Sequence, residues 1–327
     1  MTTPLIERYR DRLPIATSTP IVSLGEGSTP LLRAPRVSER LGADVYVKWE
    51  GANPTGSFKD RGMTVAISKA LEAGARAVVC ASTGNTAASA AAYAARAGLA
   101  AVVLQPPGAV AAGKLAQARA HGALVLDVLG SFDEALDAAR ALEARGTHVL
   151  VNSLNAHRLE GQKTAAFEIV EELGGAPDVL ALPYGGGGNV CAYARGFAEA
   201  GAGMPRILAG EAAQRATTVA SAIRIAEPVH AREAGQAVHA SDGAVVPLPD
   251  ETILAAWREL ALREGVFCEP AAAAGLAALG QDRLERGVSV VCVVTGHGLK
   301  DPDAAARLSP PPVTVAPDPD AIAEATR

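Results

Sequence analysis

Short, almost uniformly apolar runs alternate along the chain with longer stretches whose apolar positions recur at helical spacing. Val45 to Glu50 alternates and is rich in β-formers, which predicts a strand leading into a Pro/Gly turn at Asn53–Ser57. From Asp60 to about Gly74 the period becomes helical. Ala77–Ala81, Ala101–Leu104, Ala123–Val128 and Thr147–Asn152 then read as buried strands. Helices are predicted over Ala87–Arg96, closed by Gly98, over Gly113–His121, and from near Ser131. After a helix over Leu159–Leu173, the theme resumes with strands at Asp178–Leu182 and Arg206–Gly210 around a helix at Asn189–Ala200. Helices over Asp250–Arg263 and Pro270–Arg286 precede a last strand, Val288–Val294. The segment up to Leu31 reads as extended chain and turns. Gln214–Asp250 reads as irregular, with a helical stretch at Ala220–Ala226, and the Pro-rich tail beyond Ser309 as loosely held. Strands apolar on both faces, separated by helices, predict an α/β fold of two lobes, each a mainly parallel twisted sheet with helices on both faces.

Composition narrows the partners more than the fold. With 327 residues, 49% hydrophobic and 20% charged, the chain has material for a large core, much of it alanine suited to close helix packing. A net charge of -5 argues against nucleic acid or an anionic membrane as the main partner. Cys80, Cys191, Cys268 and Cys292 lie far apart and form no metal-binding spacing, so no metal is expected. Nothing resembles a signal peptide or an uninterrupted membrane span, and the expectation is a reduced, cytoplasmic protein.

Candidate chemistry begins at Asn53-Pro54-Thr55-Gly56-Ser57-Phe58-Lys59-Asp60-Arg61, which sets Lys59 at the mouth of a helix. Most lysines are solvated. Buried beside other cations, a lysine amine becomes partly neutral and nucleophilic, and its commonest use is a Schiff base with a carbonyl such as that of pyridoxal phosphate. Four further loops follow predicted strands, where ligands bind in open α/β sheets. Ser82-Thr83-Gly84-Asn85-Thr86 could hold a carboxylate or simply cap a helix. Tyr184-Gly185-Gly186-Gly187-Gly188-Asn189 strips away side chains so that successive N–H groups can converge on a phosphate, without the Lys-Ser/Thr of a Walker loop. Thr295-Gly296-His297-Gly298 could bring a hydroxyl to a ring nitrogen. Asn152-Ser153-Leu154-Asn155-Ala156-His157-Arg158 offers a guanidinium for a second oxyanion.

Together these motifs resemble the threonine synthases, within the β family of pyridoxal phosphate enzymes of fold type II. The likeness runs from Gly25-Glu26-Gly27-Ser28-Thr29-Pro30-Leu31 through Glu160-Gly161-Gln162-Lys163-Thr164 to Thr295–Pro302. It implies residues 1–53 and 161–327 as a large cofactor-binding domain. Residues 54–160 would form a smaller mobile domain carrying Lys59 and the Ser82–Thr86 loop. By the same resemblance Lys59, with Phe58 beside it, holds the cofactor and later shuttles protons. Asn85 contacts the pyridine 3-hydroxyl, Gly185, Gly186, Gly187, Gly188 and Asn189 bind the cofactor phosphate, and Thr295 faces the pyridine nitrogen. Ser82, Thr83 and Thr86 would hold the substrate carboxylate, and Asn152 and Arg158 the phosphate of O-phosphohomoserine, in a homodimeric enzyme.

Three departures bear on specificity. Gly186 and Gly187 stand where the family usually has Asn and Ala, Ala109 where it usually has Lys, and the Gln214–Ser221 neighbourhood is shortened. They leave open a relative that performs β-elimination or β-replacement on serine, threonine or a phosphorylated analogue, and, further off, a silent binding protein that intact Lys59 argues against.

Overall fold

The computed structural model describes residues 3–108 and 115–326. In chain order the amino-terminal part holds helix α1 (Leu5–Arg8), strand β1 (Leu31–Arg33), α2 (Pro35–Leu41) and β2 (Asp44–Trp49). There follow α3 (Lys59–Glu72), β3 (Ala77–Ala81), α4 (Asn85–Ala97), β4 (Ala100–Gln105), α5 (Ala116–Ala120), β5 (Leu124–Asp127), α6 (Phe132–Ala144) and β6 (Val149–Leu150). The next stretch is α7 (Ala156–Leu173), β7 (Val179–Pro183), α8 (Gly188–Ala200), β8 (Arg206–Ala212), α9 (Ala231–Ala240) and β9 (Ala244–Leu248). Last come α10 (Asp250–Glu264), α11 (Ala274–Leu279), β10 (Ser289–Val294), α12 (Pro302–Leu308) and α13 (Pro319–Ala325). No helix among the described residues is long and apolar enough to cross a membrane.

The strands form a six-stranded sheet in the order β1-β2-β10-β7-β8-β9 and a four-stranded sheet in the order β5-β4-β3-β6. Every pairing is parallel except β1 with β2. The apolar strands are buried on both faces because alternate residues feed different helical layers. In the larger sheet Val179, Ala181, Leu208, Val290 and Cys292 meet α10 and α11, while Leu180, Leu182, Ile207, Val291 and Val293 meet α7, α8 and α9. In the smaller one Val78, Cys80 and Val103 pack on α3 and α4, and Val79, Ala81 and Leu104 on α6.

Glycine lets the helices between the sheets approach closely. A Cβ at Gly161 of α7 would stand 1.8 Å from the Arg61 carbonyl oxygen of α3, and one at Gly62 would stand 2.6 Å from the Arg158 carbonyl oxygen. In that seam the buried Arg61 guanidinium bonds Glu50 and Glu168, the latter also paired with Lys48.

Several expectations are corrected. The helix predicted over Pro270–Arg286 is a 3-10 turn, Pro270–Ala273, followed by α11, which stops at Gly280, and Asp282 turns aside to pair with Arg206. Of Ala220–Ala226 only Ser221–Ile223 is helical, as 3-10. The irregular region contains α9 and β9: α9 buries only Ala234 and Val238, and β9 is an edge strand with Pro247, so both patterns are weak. The extended amino terminus contains α1, whose Leu5 and Ile6 are buried with Phe167. Only Val149–Leu150 of the Thr147–Asn152 strand is paired. Ala109, and Gly113 at the start of a predicted helix, lie outside the described residues.

Candidate active site

All the singled-out loops leave the carboxyl ends of strands: Ser82 follows β3, Asn152 follows β6, Gly185 follows β7 and Thr295 follows β10. The Lys59 turn is fastened to the last of these. Phe58 N–H donates to the Thr295 carbonyl at 3.1 Å, Ser57 and Gly296 form an antiparallel bridge, and His297 N–H donates to Gly56 at 2.9 Å. Gly56 takes a left-handed φ of 86°, which turns the chain toward this contact. Asp60, the residue after Lys59, accepts from Thr55 N–H and from the Thr55 and Ser89 hydroxyls, and so closes the turn and ties it to α4.

At the start of α3, Lys59 Nζ lies 4.3 Å from the Phe58 ring centroid. Removal from water, and then the Arg158 guanidinium, lower the Lys59 ammonium to about 7, with Glu269 opposing. A substantial fraction of the amine is therefore neutral near neutral pH, the state a nucleophilic lysine requires.

Arg158 is fully buried in α7. Its Nη1 donates to the Val151 carbonyl at 2.7 Å, whereas Nε and Nη2 have no protein partner. Burial holds it down to about 10, against the Cys80 thiol and the Asp60 carboxylate. A buried guanidinium with two unsatisfied donors is an oxyanion site in waiting. Asn152 beside it accepts from Ala81 N–H at 2.9 Å and donates to the Ala81 carbonyl at 2.8 Å, so its amide primarily fixes the loop onto β3.

In the Ser82–Thr86 loop, the Ser82 hydroxyl accepts from Gly84 N–H and Ala87 N–H. It shapes the turn into α4 while its own O–H remains available to donate. Thr83 and Thr86 are part-exposed. Asn85 Nδ2 donates to Glu269 Oε1 at 2.7 Å. Glu269 is buried, and a Cβ at Gly296 would stand 2.1 Å from its Oε1, so it is wedged between Asn85 and the Thr295 loop. Sequence reasoning passed over Glu269; its one signal is a lone carboxylate in the apolar run from Val266 to Leu279.

The glycine loop enters α8 through Gly187, at a φ of 83°. No side chain caps this helix, and the buried Asn189 Nδ2 has no partner. Ile223 and Ile225 line Gly185. Free N–H groups at the helix start, the helix dipole and the Asn189 amide suit a phosphate, and Thr295 stands buried at the other strand end. With the part-neutral amine of Lys59, these groups fit pyridoxal phosphate. A separate groove of about 530 Å³ near Asp11, Glu160 and Arg195 is walled by charges that pair with one another, as Lys163 does with Glu160 and Glu199, and holds no reactive group.

Comparison with known proteins identifies the family. Residues 22–296 match the family model described as pyridoxal-phosphate dependent enzyme. The threonine synthase of Synechocystis sp. is 53% identical over 325 residues, covering 93% of this chain and 85% of that protein. That of Mycobacterium tuberculosis is 49% identical, covering 98% and 95%, and that of Methanocaldococcus jannaschii 45% identical, covering 94% and 84%. Among solved structures, the cysteine synthase of Entamoeba histolytica shares the fold with a TM-score of 0.77 at 20% identity, over 92% of this chain and 96% of that one. Threonine deaminase isoform 2 of Solanum lycopersicum does so with a TM-score of 0.74 at 21% identity, over 91% and 94%. The chain therefore belongs to the pyridoxal-phosphate dependent enzymes of fold type II, and within them to the threonine synthase family.

Proposed function

We propose that this enzyme converts O-phospho-L-homoserine and water to L-threonine and inorganic phosphate, with Lys59 as its catalytic residue. The observation that carries the reading is the adjacency of a part-neutral lysine amine and a buried arginine with two unpaired donors. One suits a carbonyl cofactor and the other an anionic leaving group. Pyridoxal phosphate, when bound, supplies an electron sink for negative charge developing on the substrate carbons.

The residues that would hold the cofactor are Lys59 and Phe58 at its aldehyde, Asn85 at its ring hydroxyl, Gly185 to Asn189 at its phosphate and Thr295 at its ring nitrogen. Glu269 takes one amide hydrogen of Asn85 and leaves the other for the ring. The hydroxyls of Ser82, Thr83 and Thr86 would receive the substrate carboxylate. Arg158, set by its bond to Val151 and by Asn152 on Ala81, would take the substrate phosphate through Nε and Nη2. Lys59 Nζ would take the proton from Cα and then one from Cβ, and would later return protons to Cγ and Cα. Loss of a Cβ proton would supply the electron pair of a new Cβ–Cγ bond as the Cγ–O bond breaks with its electrons leaving on phosphate. A proton would then return to Cγ, the hydroxyl of water would add at Cβ, and a proton would return to Cα. Closure of residues 54–160 over the site would exclude bulk water while Arg158 retains the phosphate. A homodimer in the cytoplasm is the form proposed, supported by the prevalence of two-fold assemblies and by unpaired cysteines.

The experiment is incubation of the holoenzyme with O-phosphohomoserine, O-phosphothreonine, serine and threonine. Equal amounts of threonine and phosphate from the first alone are expected, with K59A inactive and lacking the visible absorption of bound cofactor. Ammonia and a keto acid from the other three would instead favour the β-eliminating relative, which the absence of side chains at Gly186 and Gly187 supports. Turnover by K59A would remove Lys59 from the chemistry.

A further inference from the structure

His230, just before α9, touches both halves of the site from a segment assigned no role. Its backbone N–H donates to the Gly186 carbonyl at 3.0 Å. Its own carbonyl oxygen lies 2.9 Å from where a Gly187 Cβ would stand, so His230 lies directly on the glycine loop. The ring then passes over the next residue: a Cβ on Gly188 would be 3.3 Å from His230 Cδ2, with Leu159 packed beside it. At the far end Nε2 is 3.0 Å from the Ser153 carbonyl oxygen. A carbonyl only accepts, so Nε2 carries the hydrogen and donates. Ser153 follows Asn152 after β6 of the four-stranded sheet, whereas the glycine loop follows β7 of the six-stranded one. A single side chain thus spans from the phosphate cradle to the loop that leads to Arg158.

We propose that His230 is a positioning residue that sets the spacing between the two anion sites, the glycine cradle and Arg158. This rests on the proposed function, since it requires phosphates at both ends. Without the donor at Nε2, the Ser153 loop loses its tie to the cradle, and binding of the substrate phosphate at Arg158 suffers before the chemistry at Lys59 does.

Three variants test the assignment. H230A removes the donor. H230N places its amide near the position of Nδ1, short of Ser153, and H230Q restores a donor at about the reach of Nε2. With pyridoxal phosphate and O-phosphohomoserine as probes, H230A and H230N should raise KM about fivefold, the loss of one neutral hydrogen bond, with kcat within about twofold. H230Q should return KM to within about twofold of the parent. The Kd for pyridoxal phosphate, from absorbance titration of the apo chain, should change by less than about twofold in H230Q and rise in H230A. Parent-like KM and Kd in both H230A and H230N, or H230Q as impaired as they are, would overturn the proposal. H230N carries the test alone if H230A does not fold. Failure of the parent to form threonine would instead defeat the underlying functional reading.

Discussion

Lys59 and Arg158 illustrate what the chain fixes one residue at a time and what it leaves to the fold. The motif around Lys59 points to a Schiff-base lysine, but the means of activation is visible only in three dimensions: burial first, and then a guanidinium from a helix almost a hundred positions away. Because Lys59 is depressed to about 7, the fraction of neutral amine rises as pH rises through that value. The rate of pyridoxal phosphate capture by the apo chain should therefore climb between about pH 6 and 8 and level off above. R158Q removes a cation that lowers Lys59, so the climb should move to higher pH, and kcat/KM for O-phosphohomoserine should fall roughly tenfold to a hundredfold. Stopped-flow absorbance across pH checks the first, and steady-state phosphate release the second. An unshifted capture profile in R158Q would leave burial as the sole cause. Glu269 and His230 escaped the sequence reading because Glu269 follows a helix and His230 ends the long connection after β8, a stretch whose pattern is irregular. Each matters only through a partner, Asn85 or Ser153, far away in the chain.

At the scale of elements, strands buried on both faces were legible because an uninterrupted run such as Ser289–Val294 has few alternatives between flanking turns. The weakest signals belonged to elements that bury little. Helix α9 shows two buried residues and β9 lies at an edge, so periodicity carried almost no information there. Conversely, the alanine-rich pattern over Pro270–Arg286 looked helical beyond Gly280, where an ion pair to Arg206 draws the chain away. The motif Glu160–Thr164 has a structural meaning that its resemblance did not disclose, since Gly161 permits the crossing of α7 on α3. G161A would press a methyl group against a backbone oxygen and should cost at least about 3 kcal/mol in urea denaturation. G175A, where nothing lies within 4 Å of the added carbon, is the control and should fall within about 0.5 kcal/mol of the parent. Equal stability of the two would show that the crossing is readily relaxed.

For the whole molecule, two separate sheets must keep their strand ends in register across α3 and α7. The ionic cluster of Arg61, Glu50, Glu168 and Lys48 lies in that seam. Burial alone would raise Glu168, yet Arg61 and Lys48 hold it down to about 2 against an ordinary 4.5. A carboxylate depressed in the folded state contributes stability that is present above its unfolded value and lost as pH falls toward the folded one. Acid unfolding should thus draw on Glu168 between about pH 4.5 and 2. E168Q should flatten that limb and cost about 3 to 5 kcal/mol at neutral pH, because it leaves buried cations underpaired. Circular dichroism of both proteins across pH decides the matter, and a parent-like acid limb in E168Q would assign the loss to other carboxylates.

The central claim, addition of water to a carbon chain from which phosphate has left, is most directly tested by turnover of O-phosphohomoserine in heavy-oxygen water. Mass spectrometry should find one heavy oxygen in the threonine hydroxyl and none in phosphate at the first turnover, since the Cγ–O bond breaks and water adds at Cβ. Heavy oxygen in phosphate with homoserine as the product would reveal simple hydrolysis at phosphorus and contradict the account.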